Sequence, residues 1–295
     1  MKTAVLLAVY FLFTGGSNIC LKLSSRATEE GGSCGKAVFF LVNSLSACLF
    51  FWIGSGFELR LNPVTLGYCV VFAAVVLTTL LVSLHIYRFY KVAEVTVLSS
   101  AGSLILGAVI GCLLFGEVLT AADGVRIMLM LAAVVFVFLG FEGEKEAAKP
   151  VGLPGVALLL AKIGVGGAAV AVQKYFATDP RVTDENSFFF FTNAVMLLAV
   201  IPWLILSIRR SGSKLRGIRQ VLGAFRFAYV GNTLCSNVLS WLTVALLQAT
   251  AVSVYVPVTT ALGILAGVFC SFLFREKVNG WMWAAAFGSV AAVIL

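Results

Sequence analysis

Lys162 sits well inside an apolar run, in Leu160-Ala161-Lys162-Ile163-Gly164. A charge near the centre of a bilayer costs roughly 2.5–3.5 kcal/mol on insertion scales, and such a residue usually faces a cavity or a partner. Two readings stand. The ammonium binds an anionic group such as a carboxylate or phosphate, or its aliphatic stem carries it to the membrane interface. A second group of polar residues recurs at Asn232, Thr233, Ser236, Asn237 and Ser240. Positions 233, 236, 237 and 240 share one face of a helix. That stripe either lines a wet path or bonds neighbouring helices. Interhelical hydrogen bonds in membranes average only about 0.6 kcal/mol, so lining is the preferred reading. Ser99, Ser100 and Ser103 form a further polar set, as do Ser253, Tyr255, Thr259 and Thr260.

Asn43 and Asn193 occur in matching contexts, Phe39-Phe40-Leu41-Val42-Asn43 and Phe189-Phe190-Phe191-Thr192-Asn193. A symmetry-related role follows if the contexts are repeats. Glu117 and Glu276 each precede an apolar run. They form a gate or a cation contact, or they stabilise the positive N-terminal end of the next helix and pair with Arg126 or Lys277. The second reading is preferred. Pro257 lies inside an apolar run, where it removes a backbone hydrogen bond and kinks a helix; beside a cavity such a kink makes a hinge. His85, next to Arg88, reads as an interfacial residue before it reads as a proton relay.

The chain has one His, and no Asp or Glu lies deep in an apolar run. Its seven cysteines are too far apart in sequence to form a metal or redox pair. An integral-membrane enzyme needs converging acids, a His/Cys cluster or a metal site. The expectation is therefore no catalytic residues, no metal and no cofactor. The missing intramembrane acid also favours facilitated diffusion or exchange over proton-coupled antiport.

The elements that must position these residues are membrane spans. Of 295 residues, 61% are hydrophobic and 12% charged, with a mean hydropathy of +1.04. Soluble domains are near half apolar and a quarter charged. A helix needs roughly 20 apolar residues to cross the hydrocarbon core. Ten runs meet that need, at 3–23, 36–56, 63–86, 94–115, 121–141, 153–176, 187–208, 220–245, 251–274 and 279–295. The opening run continues past any cleavage site to Leu23, so it reads as a span and not a removed signal. Asn62-Pro63 opens the third span, Thr120-Ala121-Ala122-Asp123 reads as a capping box, and Asp179-Pro180 breaks the chain after the sixth. Residues 24–35 and 142–152 read as separators.

Repeats organise the spans. Gly15-Gly16 matches Gly166-Gly167, the two Phe-rich Asn contexts match, and Leu114-Phe115-Gly116-Glu117 matches Leu273-Phe274-Arg275-Glu276. The chain divides into halves at 1–141 and 153–295, five spans each, joined by the linker at 142–152. An odd number of spans per repeat inverts the second half, and sites in such plans lie near the midplane where repeats meet. The fold class expected is all-α integral membrane: ten transmembrane helices as two inverted five-helix repeats around a central cavity. The net charge of +8 lies in short loops and helix ends, which fits the positive-inside effect and not nucleic-acid binding. The run Arg209–Arg219 carries five positive charges. It favours that loop in the cytoplasm and the termini outside, while Lys2 argues for the opposite orientation.

The chain resembles a ten-helix transporter of the EamA type, in the drug/metabolite transporter superfamily. The resemblance rests on the duplicated Phe-x-Glu between apolar helices, on Ala249-Thr250-Ala251-Val252-Ser253-Val254 followed by Pro257, and on Gly16, Ser17, Asn18 and Lys22 of the first span. It implies a basket of ten helices around a cavity and the export or exchange of small metabolites. Departures exist: Asn18 has Ala169 as its counterpart, Pro257 has Leu98, and the first span carries no Glu. The reading is a secondary transporter of a small polar metabolite, such as an amino acid, in a bacterial plasma membrane. Its cavity is expected between spans one, three, four, six, eight and nine, with Lys162, Ser236 and Asn237 as main contacts and Asn18, Asn43, Asn193, Ser99, Ser103, Asn232 and Tyr255 as further ones. The alternative is a non-transporting membrane receptor or assembly protein. Gly107-x-x-x-Gly111 and Gly263-x-x-x-Gly267 permit close helix approach, so a homodimer is an open expectation. The partners are a small-molecule substrate and the lipid bilayer.

Overall fold

The computed structural model describes residues 2–30, 32–87, 89–90, 92–118, 120–142, 153–182, 184–211, 215–274 and 280–294. Among these, ten helices and no strand occur: α1 Lys2–Glu30, α2 Gly32–Gly54, α3 Pro63–Ile86, α4 Val92–Phe115, α5 Ala121–Glu142, α6 Leu153–Thr178, α7 Glu185–Ser211, α8 Leu215–Ala249, α9 Val252–Leu273 and α10 Gly280–Ile294. Each expected span is a helix. The expected separator over 24–35 is not a loop, because α1 continues to Glu30 and α2 begins at Gly32. Hydropathy marks only the stretch that needs hydrocarbon, whereas the backbone hydrogen-bond ladder continues past it. The expected linker at 142–152 lies outside the described residues, except for Glu142 at the end of α5.

Local chemistry sets the helix ends. Asn62 caps α3 by accepting the Thr65 amide at 2.7 Å, with Pro63 at the first helical position. Thr120 and Asp123 cap α5 reciprocally: the Asp123 amide donates to Thr120 Oγ1, and the Thr120 amide donates to Asp123 Oδ2. Asp184 receives the Ser187 amide at the head of α7. Gly116, with φ of 63°, turns the chain out of α4, a conformation that suits Gly because it has no Cβ. In the α6–α7 turn, Asp179 accepts hydrogen bonds from the Arg181 guanidinium and amide. Those bonds hold its carboxyl well below the usual carboxylate range.

Among the described residues, seven helices are long and apolar enough to cross a membrane: α1, α2, α3, α6, α7, α8 and α9. That is the mark of a multi-pass membrane protein. The described part of α10 has 15 residues, while α4 and α5 have 24 and 22 and include side chains outside the described set. Large apolar side chains face outward, among them Leu12 at 68%, Leu113 at 78%, Phe227 at 78% and Phe287 at 69% exposed. A soluble monomer rarely exposes so much contiguous apolar surface; a lipid solvent accounts for it.

The helices pack in corresponding pairs. Helix α1 packs on α8 as α3 packs on α6, and α1 on α9 as α4 on α6. Likewise α2 packs on α8 as α3 on α7, and α9 on α10 as α4 on α5. The pairs α2–α7, α4–α9 and α5–α10 join corresponding helices directly. Small residues bring several pairs close. A Cβ on Gly107 would lie 2.7 Å from Val256, and one on Gly167 would collide with Leu106. The Gly107 face is thus used within the chain, between α4 and α9.

Candidate functional site

A cavity of about 270 Å³ opens between α1, the end of α3, α4, α6 and α9. Helix α1 contributes Tyr10, Thr14 and Asn18; α4 contributes Ser99; α6 contributes Lys162; α9 contributes Tyr255, Thr259 and Thr260. Gly166 and Gly167 on α6, and Gly107 on α4, let the backbone form part of the wall. The Lys162 ammonium donates to the buried Ser83 hydroxyl of α3 at 2.8 Å. Lys162 thus stands in the cavity wall with its ammonium held by Ser83. Lys162 can offer its remaining N–H groups to an anion.

Toward the chain-terminal face, hydroxyls close the cavity. The Tyr255 hydroxyl donates to Thr243 Oγ1 at 2.9 Å, and Tyr10 and Thr259 stand with Tyr255 in the cavity wall. Beyond them lies the α8–α9 corner. Lys174 of α6 donates to the Leu247 carbonyl at 2.8 Å and the Thr250 carbonyl at 2.9 Å. Glu117 accepts the Val252 amide at 2.9 Å. A cation thus caps the C-terminal end of α8 while a carboxylate caps the N-terminal end of α9, each matched to its helix dipole. Glu117 was expected to serve the helix that follows it. Its Oε1 meets the head of α9, where Gly116 turns the chain back over α4 and the Glu117 amide bonds to the Gly111 carbonyl at 3.0 Å.

The α8 polar stripe lies away from this cavity. Asn43 Oδ1 accepts from Thr233 Oγ1 at 2.9 Å and from Asn232 Nδ2 at 3.4 Å. Ser17 of α1 donates to Asn232 Oδ1 at 3.3 Å and lies 3.4 Å from the Ser236 hydroxyl. Behind this layer is a second cavity of about 60 Å³ between α2, α3, α7 and α8, lined in part by Asn43, Asn193, Ser236 and Asn237. So Lys162, Asn18, Ser99 and Tyr255 share the central cavity, while Asn43, Asn193, Ser236 and Asn237 share the smaller one, and Asn232 forms the wall between Ser17 and Asn43. Asn232, Ser236 and Asn237 were expected beside Lys162. The α1 backbone, packed tightly on α8 through Gly16 against Cys235 and Gly231 against Cys20, stands between them.

Pro257 is buried within α9, one turn from the cavity-lining Thr260. The Ser103 side chain and Glu276 lie outside the described residues, as do the side chains of Ser253 and Arg126. His85 is away from the cavity: its Nε2 lies 2.7 Å from the Lys36 ammonium and its Nδ1 lies 2.7 Å from the Leu81 carbonyl. An N–H at Nδ1 and a bare Nε2 satisfy both contacts. Sequence reasoning missed Ser83 and Lys174; Lys22, read only as part of the resemblance, is buried with its ammonium 4.6 Å from the Phe274 ring. Lys174 was visible as a charge near the end of α6; which partner it would meet was not.

No family model matches the chain, and no curated protein matches it. Twenty-seven chains of solved structures are similar in fold. One crystal structure aligns with a TM-score of 0.60 at 13% identity, over 96% of this chain and 95% of its own. That likeness extends to nearly the whole of both chains and shows the fold alone.

Proposed function

We propose that the chain is a secondary transporter of a small polar metabolite bearing an anionic group, in the EamA manner that its repeated motifs resemble. The observation that carries this reading is the central cavity of about 270 Å³ with the Lys162 ammonium in its wall. Its size suits a small organic solute, and hydroxyls from three helices offer the convergent polar groups that fix orientation. The ammonium supplies the charge complement for a carboxylate or phosphate. The corresponding helix pairs support an inverted repeat of five crossing helices per half, and hence alternating access. The basic α7–α8 segment supports termini outside, and the resemblance carries a bacterial plasma membrane as the proposed setting. Chemistry on a lipid has no comparable support, since the cavity wall offers no acid–base pair.

The test is solute flux. Metabolites are compared inside and outside cells expressing wild type, Lys162→Ala or empty vector, and any solute that moves is followed in liposomes holding purified protein. A hydrogen bond to a charged group contributes roughly 1.5–3 kcal/mol, so Lys162→Ala should raise KM about 10- to 100-fold for an anion-bearing solute. Lys162→Arg should retain part of the flux. Equal flux by wild type and Lys162→Ala removes the anion contact. No flux of any solute from purified wild type removes the carrier.

A further inference from the structure

The smaller cavity contains a feature that the central cavity does not explain. Asn237 is 94% removed from contact with the exterior, being 6% exposed, and its Nδ2 has no hydrogen-bond partner. It lines the 60 Å³ space. Thr192, 1% exposed, also lines that space, and its hydroxyl is likewise unpartnered. Leaving a buried amide or hydroxyl without a partner costs about 1–3 kcal/mol. Most polar neighbours are already committed. Asn43 Oδ1 accepts from Thr233 and Asn232, and Asn193 Nδ2 donates to the Phe189 carbonyl. The residues lining the space supply a mixed set: the unpartnered amide N–H of Asn237 and hydroxyl of Thr192, the side-chain carbonyl of Asn193, and the hydroxyls of Ser236 and Ser240.

The character of that set selects the ligand. A bare cation satisfies acceptors but leaves the Asn237 N–H unmet, and among the described residues no carboxylate lines the space. An anion satisfies donors but has no cation beside it. Water donates and accepts. A buried water usually makes about three hydrogen bonds, and at roughly 30 Å³ of liquid volume each, two fit the space.

We propose that the Asn43–Asn193–Asn237 cavity is a hydration site holding a small cluster of ordered waters. The cluster completes the polar layer that runs from Ser17 through Asn232 to Asn43. It joins four helices by bonds that water can remake without breaking a side-chain pair. The two matching Asn contexts meet at this one site, which is why both chain segments retain an amide there in this sequence. The inference stands on geometry and does not need the transport reading: a chain that moves no solute can still hold these waters.

Two measurements test it. The first is radiolytic hydroxyl labelling of wild-type protein in detergent, where waters bound inside the fold oxidise the side chains they touch. Phe51 and Phe189 line the cavity at 1% and 2% exposure, while Phe39 and Phe40 are as deeply buried at 0% and are not among the residues lining this space. Oxidation of Phe51 and Phe189 without Phe39 and Phe40 is expected. Equal protection of all four overturns the proposal. The second is the Tm of Asn237→Leu. In a dry cavity, removing an unpartnered amide raises Tm; in a wet one it lowers Tm, because the waters lose a partner. A lower Tm is expected, and a higher one overturns the proposal. A wild-type Tm that rises with sodium over choline, with the rise absent in Asn237→Leu, reassigns the site to a cation and also overturns it. Should Asn237→Leu fail to fold, Ser240→Ala takes its place beside the labelling, with a lower Tm again expected and a higher one again contrary.

Discussion

Ser83 is the residue that turns Lys162 from a charge in an apolar run into a positioned group. Its hydroxyl accepts one ammonium N–H at 2.8 Å and leaves the others for the cavity. A typical hydrogen bond contributes about 0.5–1.5 kcal/mol net. Ser83→Ala should therefore raise the KM of the transported solute about two- to tenfold, with kcat little changed, since the ammonium stays but wanders. Flux in liposomes measures it, and an unchanged KM would show that Lys162 needs no such anchor. The pair also marks the limit of sequence reading at this scale. Lys162 was legible because a cation among Leu, Ala and Ile carries a large solvation cost and must have a reason. Ser83 was not, because a Ser in an apolar helix can bond its own backbone, as Ser24 does with the Cys20 carbonyl. The Asn232–Ser236–Asn237 stripe was legible as one polar face, but a face does not say which of two cavities it meets.

At the scale of elements, helix existence was legible and helix length was not. The apolar runs were recognisable because each must satisfy the bilayer. The ends of α1 at Glu30 and α8 at Leu215 lie in polar sequence, where hydropathy is silent and helix propensity continues. Close approach of helices was half legible. Gly-Gly pairs and small-residue spacing announced it, but the partner came only with the fold. Gly167 meets Leu106 of α4, while Gly164 on the same helix meets nothing. Gly167→Ala should then lower Tm, at roughly the 1–3 kcal/mol that overpacking costs. Gly164→Ala should leave Tm unchanged or raise it, because Ala is the better helix former by about 1 kcal/mol. Thermal melts of both in one detergent separate packing from propensity, and equal shifts would refute the α4–α6 contact. The α8–α9 corner makes a similar case for charge. Lys174→Met strands the Leu247 and Thr250 carbonyls and removes a dipole contact of up to about 2 kcal/mol when partly buried. Its Tm should fall further than that of Glu117→Gln, which keeps an acceptor for the Val252 amide.

The corresponding helix pairs carry a consequence for the molecule as a whole. If the proposed alternating access operates, its two states, related by exchange of halves, differ in which member of each pair is tight. In this structure the α1–α8 pair is tight: a Cβ on Gly16 would lie 2.9 Å from Cys235 Sγ, and one on Gly231 would lie 2.9 Å from Cys20 Sγ. Alternating access requires α1 and α8 to part while α3 and α6 close. A Cys at position 16 falls within reach of the native Cys235 for a disulfide, whose Cβ–Cβ separation is about 3.5–4.5 Å. Gly16→Cys, with Cys20→Ser to remove the nearest competing thiol, should therefore move solute under reducing conditions and stop when oxidised. The reductant should restore flux in the same vesicles, which distinguishes a lock from a misfolded chain. Flux that continues with the bond formed, verified by mass spectrometry, would mean that α1 and α8 never part. The repeat would then be a building plan for the cavity and not a mechanism for opening it.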